Sequence, residues 1–166
     1  VTSSGWRDFS GFNVAVNGGT SYWLAFEADN ANLIFYYNNG GANYYQGAAG
    51  SYGTFPNPYS TLYSGSYSPS IYAIYTNSGY TPPPSPPPTG TTATFGVTSV
   101  GGLSTTFYSG VPRAAQYTPS SSGTVTDIIL YITSGGAGGH AQVAIYSDSG
   151  GRPGALLARS SSDTVT

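Results

Sequence analysis

The sequence predicts an all-β protein, an antiparallel β-sandwich of jelly-roll type that is split by a proline-rich segment. Two observations predict the β class: short runs of alternating apolar residues, and Gly, Pro and Asn residues between these runs. A third is the lack of any sustained apolar period of 3.6 residues. Short strands separated by such turns are typical of antiparallel sandwiches and barrels.

Alternating or β-branched runs predict the individual strands. The candidate strands are residues 12–16, 21–28, 33–37, 43–46, 71–76, 95–100, 115–118, 124–133 and 142–147. Asn17-Gly18 and Asn39-Gly40 stand between such runs, and these dipeptides predict type I′ hairpin turns.

The alternation also predicts which side chains form the core. In residues 124–133, it places Ile128, Leu130 and Ile132 on one face and Val125, Asp127, Ile129 and Tyr131 on the other. In residues 142–147, Val143 and Ile145 share one face, opposite Ala144 and Tyr146. The side chains expected to be mostly buried are Trp6, Trp23, Leu24, Ile128, Leu130, Val143 and Ile145.

Charge and cysteine content exclude several classes of protein. Only 6% of the 166 residues are charged, against about 25% in an ordinary soluble domain. Residues 30–112 carry no charge, and the net charge of −2 comes without any Lys or basic cluster. Nucleic-acid binding is excluded, because neutralising phosphates requires Lys and Arg. The absence of Cys excludes disulfides, and no apolar run is long enough to span a membrane.

A proline-rich segment divides the chain. Six of the seven residues 82–88 are proline, which predicts an extended polyproline II spacer about 20 Å long. We therefore divide the chain into residues 1–80, a Pro/Ser/Thr-rich linker at 81–94, and residues 95–166.

A resemblance suggests how the two parts are related. The stretch AIYSDSGGRPGALLARS, residues 144–160, resembles extracellular β-sandwich repeats of secreted bacterial proteins. In those repeats, an IYSD strand leads into a G-x-P-G turn and an L-L-A strand, and a Trp-containing strand and a G-x-YWLA strand follow. The matching Trp6 and GTSYWLA, residues 19–25, stand here at the start of the chain. The resemblance implies a fold and no activity.

The order of these motifs predicts a sandwich completed between consecutive repeats. Residues 1–80 would be the C-terminal half of one sandwich and residues 95–166 the N-terminal half of the next. The alternation of Thr164, Val165 and Thr166 would also continue into Val1 and Thr2. We expect residues 1–80 to pack little against residues 95–166 of the same chain. Separate subunits that complement each other's sheets and a circularly permuted monomer are the open variants.

Few residues of the sequence could carry catalytic chemistry. We therefore predict that the protein is not an enzyme and that it has no catalytic residue, no cofactor and no metal site. His140 is the only His, and it follows a glycine-rich loop. Glu27 and Asp29 could form a carboxylate pair but are better explained as strand-end and turn residues. A Ca²⁺ ion held by Asp148, Ser149 and loop carbonyls is left open.

Tyrosines crowd the uncharged stretch, and adjacent tyrosines in a strand face opposite sides. Tyrosine rings stack on sugars and also fill protein interfaces. Core packing with cross-strand pairing is the other interpretation. The candidate glycan or interface contacts are Tyr36, Tyr37, Tyr44 and Tyr45.

The linker is a candidate for O-glycosylation, because Ser and Thr beside Pro are typical of O-glycosylated stalks. It also resembles the hydroxyproline-rich segments of plant and algal wall proteins, which implies sugars on hydroxylated prolines. An unmodified stiff spacer is the alternative. The candidate glycosylation residues are Pro82, Pro83, Pro84, Ser85, Pro86, Pro87, Pro88, Thr89, Thr91 and Thr92.

Together these features predict a structural repeat unit of an extracellular fibre or surface appendage. Its partners would be other copies of itself, joined head to tail, and covalently attached glycans. The alternative is a carbohydrate-binding module of a secreted polysaccharide-degrading enzyme. Either function implies an extracellular or cell-surface location.

Overall fold

The computed structural model describes residues 5–77, 91–135 and 137–166, and these residues form antiparallel strands without a helix. The strands are β1 (Gly5–Val16), β2 (Tyr22–Ala28), β3 (Leu33–Gly47), β4 (Thr61–Pro69), β5 (Ile71–Asn77), β6 (Thr92–Gly96), β7 (Leu103–Thr106), β8 (Arg113–Tyr117), β9 (Gly123–Ser134), β10 (Gly139–Asp148), β11 (Pro153–Arg159) and β12 (Asp163–Val165). The predicted all-β sandwich is confirmed. Within this described part of the chain, no helix could cross a membrane.

The strands form one continuous hydrogen-bonded sheet that folds into two layers, and the two layers share β3. One layer has the order β11-β10-β2-β8, followed by the second part of β3, and β12 also pairs with β10. β4 pairs with β3 on both sides of its bend. In the other layer, β9 pairs with β1 on one side and with β5 and the first part of β3 on the other, and β6 pairs with β5. β7 pairs with the first part of β3. The long strand β3 therefore connects the two layers of the sandwich.

β3 passes from one layer to the other at a pair of glycines. Gly40 and Gly41 have φ of 78° and 92°, and the pairing with β4 shifts register between Asn39 and Asn43. Such backbone angles are open to glycine and strained for other residues. The predicted hairpin turn at Asn39-Gly40 is wrong, because the glycines bend one continuous strand instead of ending it.

The turn after β1 also differs from the prediction. Thr20 N–H donates to the Asn17 carbonyl at 3.1 Å, and Gly19 has a φ of 77°. The chain therefore turns here, but β1 pairs with β9 and β2 pairs with β8 and β10. Asn17-Gly18 connects the two layers and is not a hairpin turn.

The main core lies between the layers, where Leu24, Val143, Ile145, Ile128 and Leu130 are all fully buried. Their predicted burial is confirmed, as is the predicted opposition of Val143 and Ile145 to Ala144 and Tyr146. The strand predicted at 95–100 is wrong beyond residue 96, where β6 ends.

A second core explains why all of β2 is buried. Trp23 is fully buried, as predicted, and it lies on the far side of β2 from Leu24. Tyr146 belongs to the same buried cluster as Trp23. Phe55 and Tyr59, from the segment of chain that connects β3 to β4, complete this cluster. β2 is therefore buried on both faces, which agrees with its nearly continuous apolar sequence.

Trp6 is partly buried but lies outside the main core, and the predicted face of Val125 is wrong because of a bulge in β9. Trp6 lies on the opposite face of β1 from the buried Phe9, and its ring meets Tyr72 and Tyr131 edge-on, each at 5.3 Å. Val125 is fully buried with Ile128, because β9 skips one residue between Asp127 and Val125 where it pairs with β5. This bulge brings Val125 to the core face.

The two parts of the chain interleave strand by strand. β9 lies between β1 and β5, and β2 lies between β8 and β10. The prediction that residues 1–80 pack little against residues 95–166 of the same chain is therefore wrong. Within residues 5–77 only β3 and β4 pair with each other, and within residues 91–166 β10 pairs with β11 and β12, so every other strand pairing joins the two parts.

Candidate functional site

A cleft lies beside the bend of β3. It has a volume of about 190 Å³. Its lining residues are Phe35, Tyr37, Tyr44 and Gln46 of β3, Tyr63 and Tyr67 of β4, Thr105 of β7, Tyr108, and Arg113 of β8. Because β3 carries residues before and after its bend to the same place, side chains that are far apart in sequence converge here.

Tyr67 is the centre of the tyrosine cluster in the cleft. Its ring stands edge-on to Tyr37 at 5.5 Å and to Tyr44 at 5.3 Å. The Tyr63 ring stacks on Tyr67 at 6.4 Å, and their hydroxyls are 3.0 Å apart. Tyr63 is 49% exposed, so the cluster extends from the cleft to the surface. Such rings offer flat apolar faces together with polar hydroxyls.

Arg113 is the charged group of the cleft. It is only 2% exposed, and its guanidinium lies 4.9 Å from the centre of the Phe35 ring and 5.6 Å from that of Phe107. The Tyr108 ring lies 5.7 Å away. Nη1 is buried and has no hydrogen-bond partner. Among residues 5–77, 91–135 and 137–166, no carboxylate forms an ion pair with Arg113.

Tyr44 is uncharged at physiological pH. Burial raises the pKa of its hydroxyl strongly, and the charge of the neighbouring Arg113 and a hydrogen bond between the two side chains only partly oppose this rise. The hydroxyl therefore keeps its proton and can donate a hydrogen bond. Arg113 remains the one charged group among the lining residues.

The structure separates the four tyrosines predicted as contact residues. Tyr37 and Tyr44 line the cleft. Tyr36 lies on the outer face of its sheet, edge-on to Tyr131 at 5.2 Å, and Tyr45 packs edge-on to the buried Trp23 at 5.1 Å. A role in binding sugars or partners stays a prediction for all four.

Most candidate glycosylation residues lie outside the described residues, namely Pro82, Pro83, Pro84, Ser85, Pro86, Pro87, Pro88 and Thr89. Thr91 and Thr92 are described, and both are exposed. The Thr91 carbonyl accepts a hydrogen bond from Asn77 N–H at 3.1 Å, and Thr92 opposes Thr76. Asn77 and Thr91, which flank residues 78–90, therefore lie side by side. Glycosylation itself stays a prediction.

The acidic residues singled out in the sequence make structural contacts. Glu27 is 1% exposed and accepts a hydrogen bond from Gly53 N–H at 2.7 Å. Asp29 accepts a bond from His140 N–H at 2.8 Å, and its other oxygen lies 2.7 Å from His140 Nδ1. In the part of the chain that the structure describes, no three His, Cys, Asp or Glu residues form a group that could hold a metal.

Sequence reasoning missed Tyr63, Tyr67, Tyr108 and Arg113 as residues of one site. Arg113 did leave a signal, because it is the first charge after the uncharged residues 30–112 and directly precedes the buried Ala114 and Ala115. A lone charge beside a buried strand indicates a special environment. The convergence of the tyrosines depends on the bend of β3, which the sequence did not predict.

Compared with known proteins, the chain matches no family model, no curated protein and no solved structure. The resemblance of residues 144–160 to secreted sandwich repeats therefore stays a prediction.

Proposed function

We propose that this chain is a structural repeat unit of an extracellular fibre or surface appendage, joined head to tail to copies of itself. In this assembly, residues 91–166 of one copy complete the sandwich of residues 5–77 of the next. The proline-rich segment connects consecutive sandwiches and carries sugars.

The observation that carries this proposal is the close approach of Asn77 and Thr91, the described residues on either side of residues 78–90. Every strand pairing between the parts can form equally well between two copies, because only the connection at residues 78–90 differs. That connection joins two points that lie side by side, Asn77 and Thr91. A stiff run spanning about 20 Å is poorly suited to so close a return. Exchange of identical parts between copies relieves this constraint at little other cost.

The strand edges support self-association. β4 pairs only with β3 among the described strands, and its first four residues are exposed. Neither β4 nor β7 contains a charged residue. Soluble sheet proteins usually protect such edges with charges or proline. A protein whose sheet edges pack against other copies of itself does not need this protection.

The exchange can be tested with two variants that are each defective in a different part. Leu24→Asp disrupts residues 5–77, and Leu130→Asp disrupts residues 91–166, because both leucines are fully buried. Neither variant should fold alone. Mixed after denaturation, the intact part of each should combine into one sandwich, seen as recovered β-sheet circular dichroism in a dimer.

The matched control is each variant refolded alone at the same total concentration. A mixture that is no more folded than the separate variants would contradict exchange. Electron micrographs of the wild-type protein should then also show single particles instead of filaments.

The sugars require a separate measurement. We expect the native material to have a mass above 17.1 kDa per repeat, with the excess located on peptides that contain residues 82–92. Mass spectrometry of proteolytic peptides checks this expectation. If the native linker is unmodified, the proposed sugars are rejected and the proposed fibre is not affected.

The cleft favours a second candidate, a carbohydrate-binding module. Tyr63 and Tyr67 present ring faces that could stack on sugar rings. A glycan array should then show saturable binding that Tyr67→Ala abolishes. Tyr36→Ala is the matched control, because Tyr36 lies outside the cleft. Binding that is unchanged in Tyr67→Ala would reject the cleft as the sugar site.

A further inference from the structure

We infer that the cleft binds a sugar that carries a carboxylate, and that Arg113 is the group that binds this carboxylate. The inference rests on the second candidate function and names the ligand class for that site. Arg113 is a buried cation without an anionic partner among the described residues.

A buried guanidinium is costly unless it is paired. The aromatic rings of Phe35 and Phe107 compensate part of the cost by cation–π contact. They offer no acceptor to Nη1, which has no hydrogen-bond partner. A carboxylate supplies two acceptor oxygens in the spacing that a guanidinium matches. The site therefore lacks the kind of group that an acidic ligand would bring.

The size and lining of the cleft favour a sugar as the carrier of this carboxylate. Its volume of about 190 Å³ is below the range of about 300–1,000 Å³ for drug-sized ligands, which suits a single ring. Tyr63 and Tyr67 provide ring faces, while Gln46 and Thr105 provide hydrogen-bonding groups for hydroxyls. An extended acidic peptide would not use these flat faces.

Access to Arg113 passes Tyr108. This side chain is 60% exposed, and its ring lies 5.7 Å from the guanidinium. A carboxylate that approaches Arg113 from the cleft would therefore pass beside this exposed ring. The Tyr108 ring would then stack against the bound sugar ring.

The test compares an acidic and a neutral probe of the same ring shape. We expect trigalacturonate to bind in isothermal titration, and trigalactose to bind at least tenfold more weakly. Binding of trigalacturonate should weaken as salt rises. Arg113→Gln should reduce its affinity at least tenfold, Arg113→Lys should reduce it less, and Tyr36→Ala should leave it unchanged. Circular dichroism establishes that each variant is folded.

If Arg113→Gln does not fold, Tyr108→Ala and Gln46→Ala replace it, and each should weaken binding of trigalacturonate. Equal binding of the two sugars would overturn the inference but keep a carbohydrate-binding module. Failure of both sugars to bind would overturn both. Equally tight binding of polyaspartate would overturn the requirement for a sugar, and preference for a sulfated galactan would replace the carboxylate by a sulfate.

Discussion

Asp148 connects three strands of one sheet through its carboxylate. Oδ1 accepts hydrogen bonds from Trp23 Nε1 at 2.8 Å and from Gln116 Nε2 at 2.7 Å, and Oδ2 accepts one from Gly151 N–H at 3.0 Å. Burial alone would raise the pKa of Asp148, but these three bonds outweigh it and lower the pKa below 3.8. A lowered pKa means that the folded state favours the ionised carboxylate.

The stabilisation by Asp148 should therefore be lost in acid. It is fully present above the ordinary pKa of 3.8 and disappears as pH falls through the lower pKa of the folded state. We expect Asp148→Asn to lower the free energy of unfolding by about 2 kcal/mol at pH 7, and by less at pH 3. Urea denaturation at both pH values measures this, with Asp163→Asn as control. Equal losses at both pH values would contradict the charge-based explanation.

Glu27 should show the opposite pH dependence. Burial raises its pKa above 4.5, and the hydrogen bond from Gly53 and the charge of Arg159 only partly oppose this. The folded state then binds the proton more tightly, so the contribution of Glu27 to stability is greatest below pH 4.5 and declines as pH rises.

Glu27→Gln should accordingly stabilise the protein at pH 7, by about 1 kcal/mol, and have little effect at pH 4. Thermal denaturation of the variant and the wild type at both pH values checks this difference. A variant that is less stable than the wild type at pH 7 would show that the ionised carboxylate is needed by its neighbours.

At the scale of elements, the bend in β3 depends on Gly41. A Cβ at this position would lie 2.2 Å from Ser68 Oγ, and the φ of +92° is itself unfavourable for other residues. Ser68 Oγ also donates to the Gly40 carbonyl at 2.7 Å, so it cannot move without breaking a bond that holds the bend.

Gly41→Ala should destabilise the fold more than Gly11→Ala. Gly11 has a similar φ of +88°, but a Cβ there would meet nothing within 4 Å. The backbone cost of about 1–2 kcal/mol is common to both variants, so their difference reports the contact at Ser68. Denaturant unfolding of both variants measures it. Equal destabilisation would show that β3 can bend without this close approach.

The sequence predicted strands best where one face is buried. The alternation in β9 and β10 specifies their core residues because one residue in two must avoid water. It did not reveal that Trp6 lies outside the main core, because the face of β1 that Trp6 occupies becomes clear only once Phe9 is known to be buried. It also missed β4, whose exposed Thr, Tyr, Ser and Gly residues show no apolar alternation.

The cleft could not be predicted because its geometry is tertiary. Tyr37 and Tyr44 were identified from their crowding, but only the bend of β3 distinguishes them from Tyr36 and Tyr45. In a local sequence, Asn39-Gly40 is compatible with a hairpin turn and with a bulge. Pairing with β8 and β9 favours the bulge over the hairpin turn, because these strands bind the two parts of β3 in different layers.

At the scale of the whole molecule, the prolines should decide between assembly and closure. Replacing the six prolines of residues 82–88 by Gly and Ser at equal length makes the connection flexible. A flexible loop closes between neighbouring strands at modest entropic cost. We expect the variant to be mainly monomeric and the wild type to form larger species at the same concentration. Light scattering after size-exclusion chromatography distinguishes them, and an unchanged distribution would contradict a role for proline stiffness.

The course of β3 also determines how the molecule unfolds. One strand supplies backbone hydrogen bonds to both layers, so neither layer can separate without breaking the ladder of the other. The sandwich should therefore melt as one cooperative unit, with coincident transitions in fluorescence and circular dichroism. Amide hydrogens in β2 and β9 should exchange with the same free energy of opening, although the two strands lie in different layers. In a fibre under tension, each sandwich would then resist as a single mechanical element.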